Sequence, residues 1–358
     1  MVQFTAAHYY ISAMSPFNAT QGKPNNAIVV WLIVCTAMVA AMMLIGAITR
    51  LTESGLSMVE WRPLIGALPP ISAPEWERIF ALYRETSEYR LENAGMTLDA
   101  FKTIFWWEYI HRLWGRLIGT AFGIPLIWFL LRGLVPQWLK PHLIILFILG
   151  GLQGVIGWWM VKSGFVDRHD VSQYRLAVHL SIAFVILGYM IWLIGDLIDH
   201  TAYQARTPIW LSRLLAGFLV LVFITLMSGG LVAGLGAGFD YNSWPLQAGA
   251  LIPSGLFDTV PVWRNAFEDI LTVQFIHRIL AYATVITAIA AYLGGRLAIG
   301  PGRRIRYLKA LALAAVLQLV LGVATLLSVV AIPLAVLHQA GAILLFCCAI
   351  LAYRAHRT

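Results

Sequence analysis

The sequence predicts an all-α membrane protein, with eight transmembrane helices forming two tandem four-helix bundles related by a parallel pseudo-twofold. Three observations predict it. Of 358 residues, 60% are hydrophobic and only 12% charged, whereas a soluble domain is about one-quarter charged. Mean hydropathy is accordingly high, at +0.77. A bilayer-spanning helix needs about 20 apolar residues, and eight stretches qualify: 27–49, 111–131, 142–161, 176–195, 210–235, 270–295, 307–328 and 331–353. Finally, the stretches repeat. His111 to Gln153 is 42 residues and His277 to Gln318 is 41, so spans one to four align with spans five to eight. An even number of spans per half gives both halves the same orientation, unlike the inverted repeats of many transporters.

In chain order, residues 1–25 read as a cytoplasmic tail. They hold no Arg and no apolar signal core, so they resemble neither a transit peptide nor a cleaved signal. A bacterial inner membrane follows as the expected location. Residues 26–195 form the N-terminal half. Its outer segment, 50–102, carries Pro63, Pro69, Pro70 and Pro74 and then a charged, helix-like run from Glu75 to Glu92, which predicts a partly ordered cap. Residues 196–209 are a polar linker containing Pro208. The C-terminal half covers 210–358, and its outer segment, 236–268, is shorter and rich in Gly and Pro. The last two spans are separated only by a short break near Pro333.

The net charge of +8 is a matter of topology, and no nucleic-acid partner is implied. With the N-terminus inside, the inner segments carry Lys23, Arg132, Lys140, Arg206, Arg213, Arg296, Arg303, Arg304, Arg306, Lys309, Arg354 and Arg357 against only Asp196 and Asp199. This positive-inside bias predicts N-in and C-in. The run 303–306 is then an inner, lipid-facing loop. Cys35, Cys347 and Cys348 lie inside spans and suit packing better than a loop disulfide.

Four histidines carry the functional signal. Glu108-Tyr109-Ile110-His111-Arg112 is echoed by Gln274-Phe275-Ile276-His277-Arg278. A Gln-x-x-x-Gly step follows in each half, Gln153 to Gly157 and Gln318 to Gly322, and the next span brings His179 or His338. All four lie in the early turns of even-numbered spans, which places them in one layer toward the periplasmic side. Ionisable residues inside membranes are costly and tend to mark function. Zinc usually asks for four ligands, often Cys, and none accompanies these histidines. A di-iron carboxylate centre needs two Glu-x-x-His motifs and further Glu, and only one copy carries the Glu. Two imidazoles per half suit bis-His haem. Arg112 and Arg278 are placed for haem propionates, with snorkelling to the interface as their ordinary alternative.

The copies differ at Glu108 and Gln274. Glu108 shares a helix face with His111, which points to acid–base or radical-transfer work in the first half and plain electron transfer in the second. Arg175, four residues before His179, matches apolar Leu334. Gly46, Gly150, Gly151, Gly154, Gly157, Gly229, Gly230 and Gly234 permit close helix approach or self-association into a homo-oligomer. Trp106, Trp107, Trp158 and Trp159 suit an interfacial belt.

Several motifs in order resemble the haem A synthase family, in its alphaproteobacterial and mitochondrial branch. They are the run from Ile45 to Ser57, Phe105 to Arg112, Gln153 to Gly164, and His338-Gln339-Ala340-Gly341-Ala342. The resemblance covers nearly all of the chain after residue 25. It implies oxidation of the C8 methyl of haem O by successive hydroxylations, giving a gem-diol that loses water to the formyl group of haem A. Haem A then serves cytochrome oxidase. It further implies that His111 and His179 bind the substrate haem iron with Arg112 and Arg175 nearby, and that Glu108 is catalytic. His277 and His338, with Arg278, would hold a haem b cofactor. A link to haem O synthase follows from the pathway, while the electron acceptor stays unknown. The chain lacks the loop cysteine pair of some Gram-positive members. Two other readings compete: a quinol-linked dihaem cytochrome b, which needs no difference between Glu108 and Gln274, and a transporter, which needs broken helices at the bilayer midplane.

Overall fold

The computed structural model describes residues 26–60, 68–166, 171–198 and 207–357. Residues 1–25, read from sequence as a cytoplasmic tail, most of the linker and the 61–67 part of the expected cap lie outside them. Among the described residues there are eleven α-helices: α1 Asn26–Leu51, α2 Ala73–Arg84, α3 Ser87–Leu91, α4 Leu98–Leu131, α5 Leu139–Val166, α6 Gln173–Ile198, α7 Ile209–Gly234, α8 Asn265–Glu268, α9 Ile270–Ile299, α10 Arg303–Leu327 and α11 Ile332–His356. Eight of them are long and apolar enough to cross a membrane, and they coincide with the eight stretches read from sequence.

Within the first half, α1 packs on α4 and α6, and α5 packs on both of those. Within the second, α7 packs on α9 and α11, and α10 packs on both of those. The two sets meet where α6 contacts α7 and α11, and where α1 contacts α11. Small residues allow the α6–α7 approach: a Cβ on Gly234 would stand 2.6 Å from Gln173 Cα, and one on Gly230 3.2 Å from Ala177 Cα. One apolar core runs through α1, α6, α7, α9, α10 and α11, centred on Phe184, Phe218 and Phe346. A second joins α1, α4, α5 and α6 around Trp31, Phe122 and Leu143.

Helix α4 starts 13 residues before the predicted span, at Leu98, where Thr97 Oγ1 caps the Ala100 N–H at 3.3 Å. At about 1.5 Å per residue, its 34 residues outrun a bilayer core of about 30 Å. The excess carries an aromatic cluster in which Phe101, Phe105 and Tyr109 meet Phe80 and Tyr83 of α2. That contact anchors the cap. The basic run 303–306 also differs from expectation. It forms the first turn of α10, and Arg304 Nε donates to Ala355 O of α11 at 3.1 Å. A basic first turn can therefore be satisfied by a neighbouring helix's C-terminal carbonyl. At the same end Arg354 pairs with Asp196 at 2.8 Å.

Candidate haem sites

Four helices carry the histidines. Contacts fix the directions. Helix α4 runs against α1 (Trp31 with Ala121, Thr49 with Trp107). Helices α6 and α9 run against α7 (Gly230 with Ala177 and Gly234 with Gln173; Ser228 with His277 and Gly294 with Trp210). Helix α11 runs with α6 (Gly188 with Phe346, Gly195 with Arg354). The ends of α1 and α7 meet through Arg50 and Ala233, so α4, α6, α9 and α11 run the same way. His111, His179, His277 and His338 lie 20, 19, 22 and 18 residues before the ends at Leu131, Ile198, Ile299 and His356. They therefore occupy one layer. His111 is not in an early turn, because α4 begins in the cap.

Each imidazole rests against a glycine of the preceding span. A Cβ built on Gly46 would lie 3.1 Å from His111 Cε1, on Gly157 3.1 Å from His179, on Gly229 3.2 Å from His277, and on Gly322 2.8 Å from His338. These glycines are thus ring seats, a role beyond helix packing. Glycines 150, 151 and 154, grouped with them on sequence, have nothing within 4 Å of a built Cβ. The Gln-x-x-x-Gly step gains a reason as well. Gln153 Nε2 donates to His179 O at 2.9 Å while Gly157 seats the ring. In the second half, Gln318 lies over Gly341, where a Cβ would come within 2.2 Å of its Oε1.

The histidines fall in two neighbouring pairs: His111 lies near His179, and His338 near His277. Nδ1 of His111, His179 and His338 is buried without a hydrogen-bond partner. Among the described residues, no three His, Cys, Asp or Glu side chains gather as a metal group. Paired imidazoles with seats shaped by glycine fit a porphyrin iron better than a bare ion, because axial haem ligation needs only two.

Beside each pair stands a clamp. Glu108 is 3% exposed. Its Oε2 accepts from Ser57 Oγ and from Met58 N, both at 2.7 Å, and its Oε1 accepts from Arg112. Arg112 also donates to Met58 O at 3.1 Å. Gln274, also 3% exposed, uses Nε2 to donate to Ala237 O at 2.6 Å and Asp240 O at 2.7 Å. Arg278 donates to Gln274 Oε1 at 2.8 Å and to Tyr241 O at 2.9 Å, with Ser243 O and Leu246 O at 3.0 and 3.3 Å. Both arginines therefore tie down the segment that follows the first span of their own half, a role the sequence reading missed. Arg278 Nε remains buried without a partner. Arg175 donates to Trp159 O at 2.6 Å and stacks 4.4 Å over the Trp159 ring. That contact ties α6 to α5. Trp159 is thus an arginine platform, a role beyond the interfacial belt expected from sequence.

A family model described as COX15-CtaA, cytochrome oxidase assembly protein, matches residues 29–350. The chain belongs to this family. It is 48% identical over 323 residues to the haem A synthase of Parvibaculum lavamentivorans, covering 90% of this chain and 92% of that one. It is 49% identical over 328 residues to that of Rhodospirillum centenum, covering 89% and 86%. With that of Paramagnetospirillum magneticum the identity is 47% over 325 residues, covering 90% and 91%. The family-model match leaves out residues 1–28 and 351–358.

Proposed function

We propose that the chain is a haem A synthase of the bacterial inner membrane that oxidises the C8 methyl of haem O to the formyl group of haem A. In this reading it is built as two pseudo-twofold halves, N-in and C-in, with the histidine layer toward the periplasm. His111 and His179 hold the iron of the substrate haem. His277 and His338 hold haem b, which supplies one-electron transfer when bound. Aligned haem A synthases support the activity, and the paired, glycine-seated imidazoles support the ligand sets.

The observation that carries the division of labour is the unequal clamp. Position 108 offers a carboxylate and position 274 a neutral amide, on otherwise matching frames. Oxidising a methyl carbon releases protons, and a carboxylate one helical turn from His111 can take them. Ser57 Oγ–H, Met58 N–H and Arg112 fix that carboxylate in place, so its orientation needs no reorganisation during the reaction. Glu108 is itself buried, and its neighbour Tyr109 packs in the aromatic cluster with Phe80, Tyr83, Phe101 and Phe105. Arg112 and Arg175 line the substrate haem and Arg278 lines haem b, each also holding its own loop or helix.

Glu108→Gln tests this assignment. Haem b content stays at the parent level, haem O accumulates and haem A disappears. Normal haem A yield would remove Glu108 from the chemistry.

A further inference from the structure

One imidazole of the four is held differently. His277 Nδ1 lies 2.7 Å from Ser228 Oγ, and Ser228 Oγ donates to Thr225 O at 2.7 Å. A hydroxyl has one proton. With that proton directed at a carbonyl, the second contact runs from Nδ1–H to an Oγ lone pair. Nε2 is then the deprotonated nitrogen, the one a metal takes. The frame beneath is rigid, because Thr225 Oγ1 meets Thr284 Oγ1 of α9 at 3.1 Å, two turns along from His277.

No other ring has a hydroxyl partner: Nδ1 of His111 and His179 is buried without a hydrogen bond, and His338 faces only the Gln318 backbone. The residues preceding the four ring-seating glycines are Ile45, Ile156, Ser228 and Leu321. Only one of the four seats therefore has a hydroxyl beside it. Ser228 is itself buried, at 7% exposure, so water does not compete for the bond.

We propose that Ser228 is a positioning residue for the second-half haem: it accepts the Nδ1 proton of His277, fixes the ring tautomer and makes Nε2 a stronger electron donor to iron. This rests on the reading of His277 as a haem b ligand. A hydrogen bond from the distal nitrogen raises ligand basicity and is worth 10–100-fold in metal affinity or activity at typical sites. A more basic ligand favours oxidised iron, so the bond lowers the reduction potential of this haem. The first half has no such bond, and its two rings bind iron unassisted.

The test is potentiometric titration of the haem b band in purified full-length protein carrying its pigments. Ser228→Ala keeps haem b but shifts the reduction equilibrium toward the reduced form by about tenfold, a rise of about 59 mV for a one-electron couple. Ser228→Thr, which restores the hydroxyl, stays at the parent midpoint. A parent midpoint in Ser228→Ala with haem b retained would overturn the proposal. If that variant does not accumulate, Ser228→Cys, with similar volume and a weak acceptor, is read the same way. His277→Ala separates the two layers of the argument. Loss of haem b supports the ligand reading, and full retention sinks that reading whatever the Ser228 variants do.

Discussion

Positions 108 and 274 show how one atom's polarity can divide two similar sites. In the first half the loop presents donors, Ser57 Oγ–H and Met58 N–H, so the clamp must accept. In the second it presents the carbonyls of Ala237 and Asp240, so the clamp must donate. Glutamine at 108 would set an amide against one of those donors at a cost of roughly 1–3 kcal/mol, which is why retention of haem b must accompany any loss of haem A. Glu88 in α3 carries a second buried carboxylate, at 6% exposure with Oε2 unpartnered. Burial pushes it up to about 8, the Glu108 and Glu53 charges add to this, and the Tyr83 hydrogen bond and Arg50 oppose it. The folded chain thus keeps a proton that the unfolded chain releases above the ordinary carboxylate range. Cap stability therefore falls as pH rises from that range through about 8 and is flat beyond it. Protection of the amides in residues 73–91, relative to their intrinsic base-catalysed exchange, should fall across this window, and Glu88→Gln should flatten the dependence. Equal protection at both ends of the window in the parent would contradict it. Helical periodicity in the sequence placed Glu108 beside His111. It did not reveal Ser57, Met58 or the burial of Glu88, which sits in a charged run whose composition reads as solvated. Those facts depend on which loop lands on which helix.

At the scale of helices, the repeated unit is a glycine of one span seating the histidine of the next. The Gln-x-x-x-Gly spacing was visible in the sequence, but its purpose was not, because ring and seat come from different helices. The start of α4 was missed for a related reason. Its outer turns are polar and aromatic, outside any apolar window, and packing against Phe80 and Tyr83 makes them helical. Ala in place of Gly in a helix gains about 0.8–1 kcal/mol of propensity, while a Cβ at Gly322 would come within 2.8 Å of His338 Cε1. Gly322→Ala should therefore fold near parent stability yet hold haem b 10–100-fold more weakly, as displaced ligands do. Gly150→Ala, with nothing within 4 Å, is the control. Parent haem b content in Gly322→Ala after detergent dilution would show that the seat is dispensable.

For the whole molecule, composition and repeat were enough to predict eight membrane-spanning helices, and all eight are present. The layer of four histidines survives the early start of α4, because depth counted from the helix ends is nearly constant. Contacts of α6 with α7 and α11 and of α1 with α11 join the halves. At the histidine-bearing end Arg50 donates to Ala233 O at 3.2 Å and Tyr174 to Glu268 at 2.7 Å, so neither site is built in isolation. The central claim is that two alike frames hold two unlike haems, one a substrate and one a cofactor. Pigment extraction from the purified protein tests it most directly. The account predicts haem b together with a haem bearing the hydroxyfarnesylethyl tail, and haem b alone filling both sites equally would contradict it.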